Sequence, residues 1–187
     1  MATLEEWIDD ATRRMDKSVE HARGEFNTVR TGRASAALLD RVEIDYYGTK
    51  TPLKQLATIN VPEPRMLTIQ PFDPSSIKSI EKAIQESDLG LTPSNDGKLI
   101  RLPIPQLTEE RRKELVKVVR QLAEHHRVAV RDIRRDAMRH LKDLVVNGEV
   151  GDDEERRAEE RVQKLTDQHT KAIDELLKHK EAEVMEV

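Results

Sequence analysis

Cysteine is absent from all 187 residues. That excludes a disulfide framework, a thiol nucleophile and a thiolate metal centre, and it suits a reducing, cytoplasmic setting. Aromatic residues are scarce: one Trp, two Tyr and two Phe. So few rings cannot stack the successive bases of a single strand, nor fill a wide sheet core. No apolar run approaches the ~18 residues of a membrane span, and residues 1–10 lack the basic and apolar regions of a signal peptide. The expectation is a soluble protein with no membrane partner. Catalytic signatures are missing too: there is no GxGxxG, no HExxH and no nucleophile elbow. Gly90 and Gly97-Lys98 superficially suggest a phosphate loop. Lys98 is followed by Leu99 rather than Ser or Thr, however, and the stretch has the character of a hairpin. Neither an enzyme nor a bound cofactor is expected.

Proline is missing from both ends of the chain, all eight falling between Pro52 and Pro105. Because proline is excluded from helix interiors, this marks residues 31–105 as a differently built segment. Before it, Leu4, Ile8, Ala11, Met15, Val19, Ala22, Phe26 and Val29 share one face of a helix over residues 3–30. Thr3 and Glu6 form a capping box at its start, and Thr31-Gly32 stands at its end. Inside the segment, 42–47, 53–61 and 66–70 have strand character, and Gly48-Thr49 has that of a turn. Residues 74–89 have the spacing of a short helix closed by Gly90, and 91–92 and 98–102 flank a hairpin turn at Ser94-Asn95-Asp96-Gly97. After it, Thr108 offers an N-cap for a helix ending near Asn147-Gly148. Asp152 with Glu155 suggests a capping box for a last helix through Val184. The fold class expected is α+β. Residues 1–30 plus 106–187 form an elongated three-helix bundle, 31–105 an inserted small β/α/β domain, and 30–34 and 103–107 hinge linkers.

The stretch from Thr108 to Val146 contains neither Pro nor Gly, and Leu115, Val119, Leu122, Ala129, Ile133, Ala137, Leu141 and Leu144 repeat at helical steps. At ~100° per residue the charges separate into two flanks. Lys113, Arg120, Arg127, Arg131, Arg134 and Lys142 lie on one side, and Glu114, Asp132, Asp136 and Asp143 on the other. Residues 109–146 hold 11 Lys/Arg against 7 Asp/Glu, a net +4 within a chain of net −4. A local basic face on an acidic protein points to one docking surface, and arginine favours bidentate phosphate contact. Backbone-shape recognition of structured RNA is the chemistry expected. The competing class is a helical protein-protein interaction module without RNA contact, and a third is a bundle metalloenzyme. His125, His126 and His169 could face one another across two helices, but no Glu-x-x-His accompanies them. They are expected to pack half-buried, with no metal bound.

Several stretches taken together are recognisable: Val29–Ser35, Asp45–Thr49, Thr51–Leu53 with Gln55–Ala57, Ser87–Leu91, Gln106–Lys113, Arg127–Arg135, Val162–Asp167 and His179–Glu183. With these in order along the whole length, the chain resembles the bacterial ribosome recycling factor family. The resemblance implies an L-shaped, tRNA-like monomer: a three-helix bundle hinged to a small β/α/β domain, without enzymatic activity. It implies action with elongation factor G, which hydrolyses the GTP, to split the ribosome after termination and free it from mRNA. The bundle would lie against rRNA of the large ribosomal subunit. The family's arginine patch carries over to Arg112, Arg131, Arg134 and Arg135, and its hinge-proximal motif to Arg30 and Arg33. The rRNA-binding set expected is therefore Arg112, Lys113, Arg120, Arg127, Arg131, Arg134 and Arg135. The hinge set is Arg30, Thr31, Gly32, Arg33, Pro103 and Pro105.

Overall fold

The computed structural model describes residues 2–186. Helix α1 spans Leu4–Thr28 and opens on the capping box: Thr3 N–H donates to Glu6 Oε2 at 2.7 Å, and Glu6 N–H to Thr3 Oγ1 at 3.2 Å. Ile8, Ala11, Met15, Val19, Ala22 and Phe26 are its buried face. It stops at Val29, whose backbone is extended, and Gly32 then adopts φ +77°.

The next segment forms two small antiparallel sheets and one longer helix. Strand β1 (Glu43–Tyr46) pairs with β2 (Thr49–Pro52). The hairpin turn is Tyr47-Gly48, one residue earlier than expected, with φ +50° and +83°. Asp45 Oδ1 accepts the Gly48 N–H at 3.0 Å and so holds the left-handed Tyr47 in place. Residues 53–56, expected as the start of a strand, form instead the single helical turn α2 (Leu53–Leu56). Pro52 sets φ −57° before it, and the i,i+3 pair Leu53 and Leu56 then turns toward the core. Strand β3 (Ala57–Glu63) and β4 (Met66–Pro71) follow. A 3₁₀ turn at Pro74–Ser76 leads into α3 (Ile77–Glu86), which ends three residues short of expectation because Ser87 turns extended and its hydroxyl donates to the Ile84 carbonyl at 2.6 Å.

Strand β5 is Ser94–Asn95 rather than 91–92, and β6 is Ile100–Pro103. The turn between them is accordingly Asp96–Leu99, whose amides at Lys98 and Leu99 donate to Asp96 Oδ1 at 3.0 and 2.9 Å. The second sheet has the order β3-β4-β6-β5, antiparallel throughout. Leu67 and Ile69 on β4 and Ile100 and Leu102 on β6 alternate inward to meet Ile77, Ile80 and Ile84 of α3. Pro103, expected in a linker, is the last residue of β6 and pairs with Met66. Short β5 leaves that position on an edge, where a missing N–H costs no ladder bond.

Helix α4 (Glu109–Val146) runs 38 residues, and α5 (Asp152–Met185) 34. Between them Gly148 at φ +72° lets its own N–H reach the Val145 carbonyl and Glu149 N–H that of Leu144, both at 2.9 Å. The N-cap of α5 is Gly151, with no side-chain cap. The expected Asp152–Glu155 box is absent, and Asp152, Asp153, Glu154 and Glu155 instead occupy the first turn, facing the positive end of the dipole. Helices α1, α4 and α5 share one core, in which Met15, Val19, Val119, Val130, Leu141, Val162 and Ile173 are buried. The buried line on α4 is Leu115, Val119, Ala123, His126, Val130, Ile133, Ala137, Leu141 and Leu144. Leu122 and Ala129, expected in that line, sit at its margin, since packing two helices rather than one rotates the buried arc toward α5.

The chain divides into two compact units, one from the N-terminal residues to Thr31 together with Glu109–Glu186, the other Gly32–Thr108. Among the described residues no helix is long and apolar enough to cross a membrane.

Candidate nucleic-acid interface

The basic flank of α4 does two different things. Arg120, Arg127 and Arg134 recur every seven residues, at the angle nearest α5, and each finds a partner there. Arg120 Nε donates to Glu181 Oε1 at 2.6 Å. Arg127 Nη2 lies 2.6 Å from Asp174 Oδ1, and its Nη1 also reaches Glu124 at 3.2 Å. Arg134 Nε donates to Gln163 Oε1 at 2.7 Å, and Gln163 in turn donates to Asp167 at 2.9 Å. Since Asp167, Asp174 and Glu181 are also seven apart, two antiparallel helices bring the two heptad rows together as a ladder. Arg127 is far more enclosed than Arg120, its side chain only 19% exposed against 65%.

The outer row is different. Arg131, Arg135 and Arg139 have side chains 51%, 70% and 69% exposed. Their acids belong to α4 itself: Glu124 for Arg131 at 3.1 Å, Asp132 for Arg135 and Asp136 for Arg139. Exposed pairs of this sort contribute 0 to ~1 kcal/mol each, so an incoming phosphate can displace them at small cost. Arg134, Arg135, Arg139 and Lys142 line an open groove of about 620 Å³ with Met138, against the two acids Asp143 and Glu159. Glu124 is held below the usual carboxylate range by hydrogen bonds from Arg131 and then Arg127. It stays charged and partners both rows.

The remaining residues of the expected set are spread along the same helix. Lys113 is exposed and pairs with Glu109 at 3.3 Å, one turn away. Arg112 is half-buried, and its Nε is buried without a hydrogen-bond partner. Arg30 is exposed at the end of the bundle unit. Thr31 is buried, its hydroxyl 3.5 Å from Glu183 Oε2. In the other unit, Gly32 has Leu107 close by, and Ala34 N–H and Ile104 N–H donate to Pro64 O and Arg65 O at 2.7 and 2.8 Å. Pro105 is exposed.

Of the three histidines expected to pack half-buried, His169 does so, His126 is fully buried and His125 is exposed. His169 meets Asp16 of α1 at 2.6 Å. His126 is buried and meets Glu25 of α1 at 2.9 Å, with His21 beside it. Sequence spacing paired the histidines of α4 and α5 and passed over His21 and Glu25, an i,i+4 pair on α1 whose face only the packing reveals.

The family model described as Ribosome recycling factor matches residues 22–185. The chain is 58% identical over 180 residues to the ribosome-recycling factor of Rubrobacter xylanophilus, covering 96% of this chain and 97% of that one. It is likewise 58% identical over 180 residues to that of Geobacillus thermodenitrificans, with the same two coverages. Among solved structures it resembles the solution structure of a ribosome recycling factor at 43% identity and TM-score 0.78, covering 100% of both chains. A second likeness, 46% identical with TM-score 0.67, covers 99% of this chain and all of the T. thermophilus ribosome recycling factor, which is seen there with the E. coli elongation factor G bound to the E. coli post-termination complex.

The fold is that of an α+β protein, a helical bundle with a small β unit, and the family and relatives it matches are those of a non-enzymatic translation factor. The chain belongs to the ribosome recycling factor family. Its function is ribosome recycling.

Proposed function

We propose that the chain docks on rRNA of the large subunit of the post-termination ribosome through the outer row of α4. With elongation factor G and its GTP hydrolysis, it then promotes separation of the subunits and release from mRNA. The place of action is the cytoplasm. One observation carries the docking surface: Arg131, Arg135 and Arg139 stand exposed on one helix edge, tied only to acids of their own helix. The relative seen with elongation factor G on the post-termination complex supports the choice of partners.

The inner rungs Arg120, Arg127 and Arg134 set the helix spacing and add field rather than direct contacts. Arg112 and Lys113 extend the cationic edge toward the N-terminus of α4. About five phosphate contacts imply a log–log salt slope near −4, so affinity falls by ~10² to 10³ over a fourfold rise in salt. Co-sedimentation with purified large subunits across a salt series tests this. A flat salt response, with binding of the Arg131→Ala/Arg135→Ala variant unchanged, is the outcome expected of a protein-protein module that never touches RNA.

Force from the partner reaches the bundle through the two chain passages at Thr31–Gly32 and Thr108–Glu109, which act as hinges. Arg30, Thr31, Gly32 and Arg33 flank the first and Pro105 the second. Pro103, inside β6, moves with the small unit.

A further inference from the structure

Three donor groups from two helices converge on one spot of the bundle. His126 of α4 is 2% exposed, and its Nε2 lies 2.9 Å from Glu25 Oε2 on α1. His21, one helical turn before Glu25, places its own Nε2 3.5 Å from the other carboxylate oxygen. The two imidazoles meet edge to face with centroids 5.3 Å apart, and a donor atom from each of the three residues lies within 4.8 Å of the others. We propose that His21, Glu25 and His126 form a binding site for a divalent late transition metal, zinc above all, that clasps α1 to α4.

The donor chemistry fits that class. Two imidazole nitrogens and one carboxylate oxygen suit zinc, and three protein ligands leave the fourth tetrahedral position to water. Ligand atoms around tetrahedral zinc stand about 3.3 Å apart, so small side-chain rotations close the present spacing onto an ion. His126 is already seated by burial. His21 and Glu25 share the face of α1 turned to it, because i and i+4 stack one above the other. The site is separate from the arginine row of α4 and plays no part in the phosphate docking proposed above.

The test uses the full chain, stripped with chelator and titrated with zinc sulfate. One equivalent should bind, and the melting temperature should rise by roughly 5–10 °C at a free metal level a hundredfold above Kd. His21 is exposed, so His21→Asn leaves the fold intact; it should weaken binding by at least about tenfold. Glu25→Gln should do the same. His169→Asn, which removes a histidine paired with a single acid, should leave zinc affinity unchanged. Absence of stoichiometric uptake, or equal affinity in the parent, His21→Asn and Glu25→Gln chains, overturns the proposal and leaves His126–Glu25 as a hydrogen bond alone.

Discussion

Arg127 and Arg135 lie eight residues apart on one helix and carry the same charge, yet the fold gives them opposite tasks. The stem of Arg127 is covered and its head is shared between Asp174 and Glu124. Replacing it with alanine removes buried methylenes and leaves a carboxylate on α5 without its cation. Arg127→Ala should lower stability by about 1 kcal/mol, seen as a lower urea midpoint at unchanged slope. Arg135 is 70% exposed and tied only to Asp132 in its own helix. Arg135→Ala should change stability by less than ~0.5 kcal/mol while weakening binding to large subunits and making the salt slope about one unit shallower. A normal sedimentation profile for Arg135→Ala would remove the outer row from the docking surface. Helical spacing puts Arg127 in the basic flank and the family resemblance adds Arg135 to the same expected rRNA-binding set; only the register of α5 against α4 separates them.

At the scale of elements, the helices are joined at their margins by ion pairs as well as by the apolar core. Asp136 of α4 meets Arg14 of α1 at 2.7 Å, and Glu5 of α1 meets Arg161 of α5 at 2.5 Å. Hydrogen bonding from Arg14 holds the Asp136 carboxyl below its ordinary value of 3.8, and hydrogen bonding from Arg161 holds Glu5 below its ordinary 4.5. Depressed carboxyl pKa values contribute stability that is complete above the unfolded values and is lost as pH falls through the folded ones. Thermal stability should therefore hold from neutral pH to about 5 and decline below about 4. Asp136→Asn should be less stable at neutral pH and show a shallower acid decline, which melting curves along a pH series will display. Within the small unit, Gly32 at φ +77° has Leu107 Cγ 3.1 Å from where a Cβ would stand. Gly32→Ala should cost about 1–2 kcal/mol in that unit's stability, measured by hydrogen exchange of β4 and β6 amides.

The whole molecule works, on the reading proposed, by holding RNA with one unit while its partner acts on the other. Loosening a chain passage should then impair transmission more than attachment. Pro105 is exposed and its nitrogen has no hydrogen to lose, so Pro105→Gly frees the backbone there without disturbing a ladder bond. Subunit splitting with elongation factor G and GTP should slow several-fold, with sedimentation on large subunits nearly unchanged. Equal loss of both would sink the hinge. Splitting by the parent chain without elongation factor G would show that no force from the partner is needed.

What the sequence by itself determined follows from local rules. Periodicity placed three long helices, proline confined a β-containing segment between them, and the Thr3–Glu6 pair marked where the first helix begins. The matching stretches carried the family. Strand edges within 53–61 and 91–95 were not legible, because a residue or two of turn chemistry decides between strand and helical turn there. Tertiary packing alone decided which arginines reach α5 and which stay outward, and it alone set His21 and Glu25 beside His126. A helical wheel fixes angles around one axis. Which side chains are covered, paired or free depends on where the neighbouring helices lie, and that is a property of three helices together.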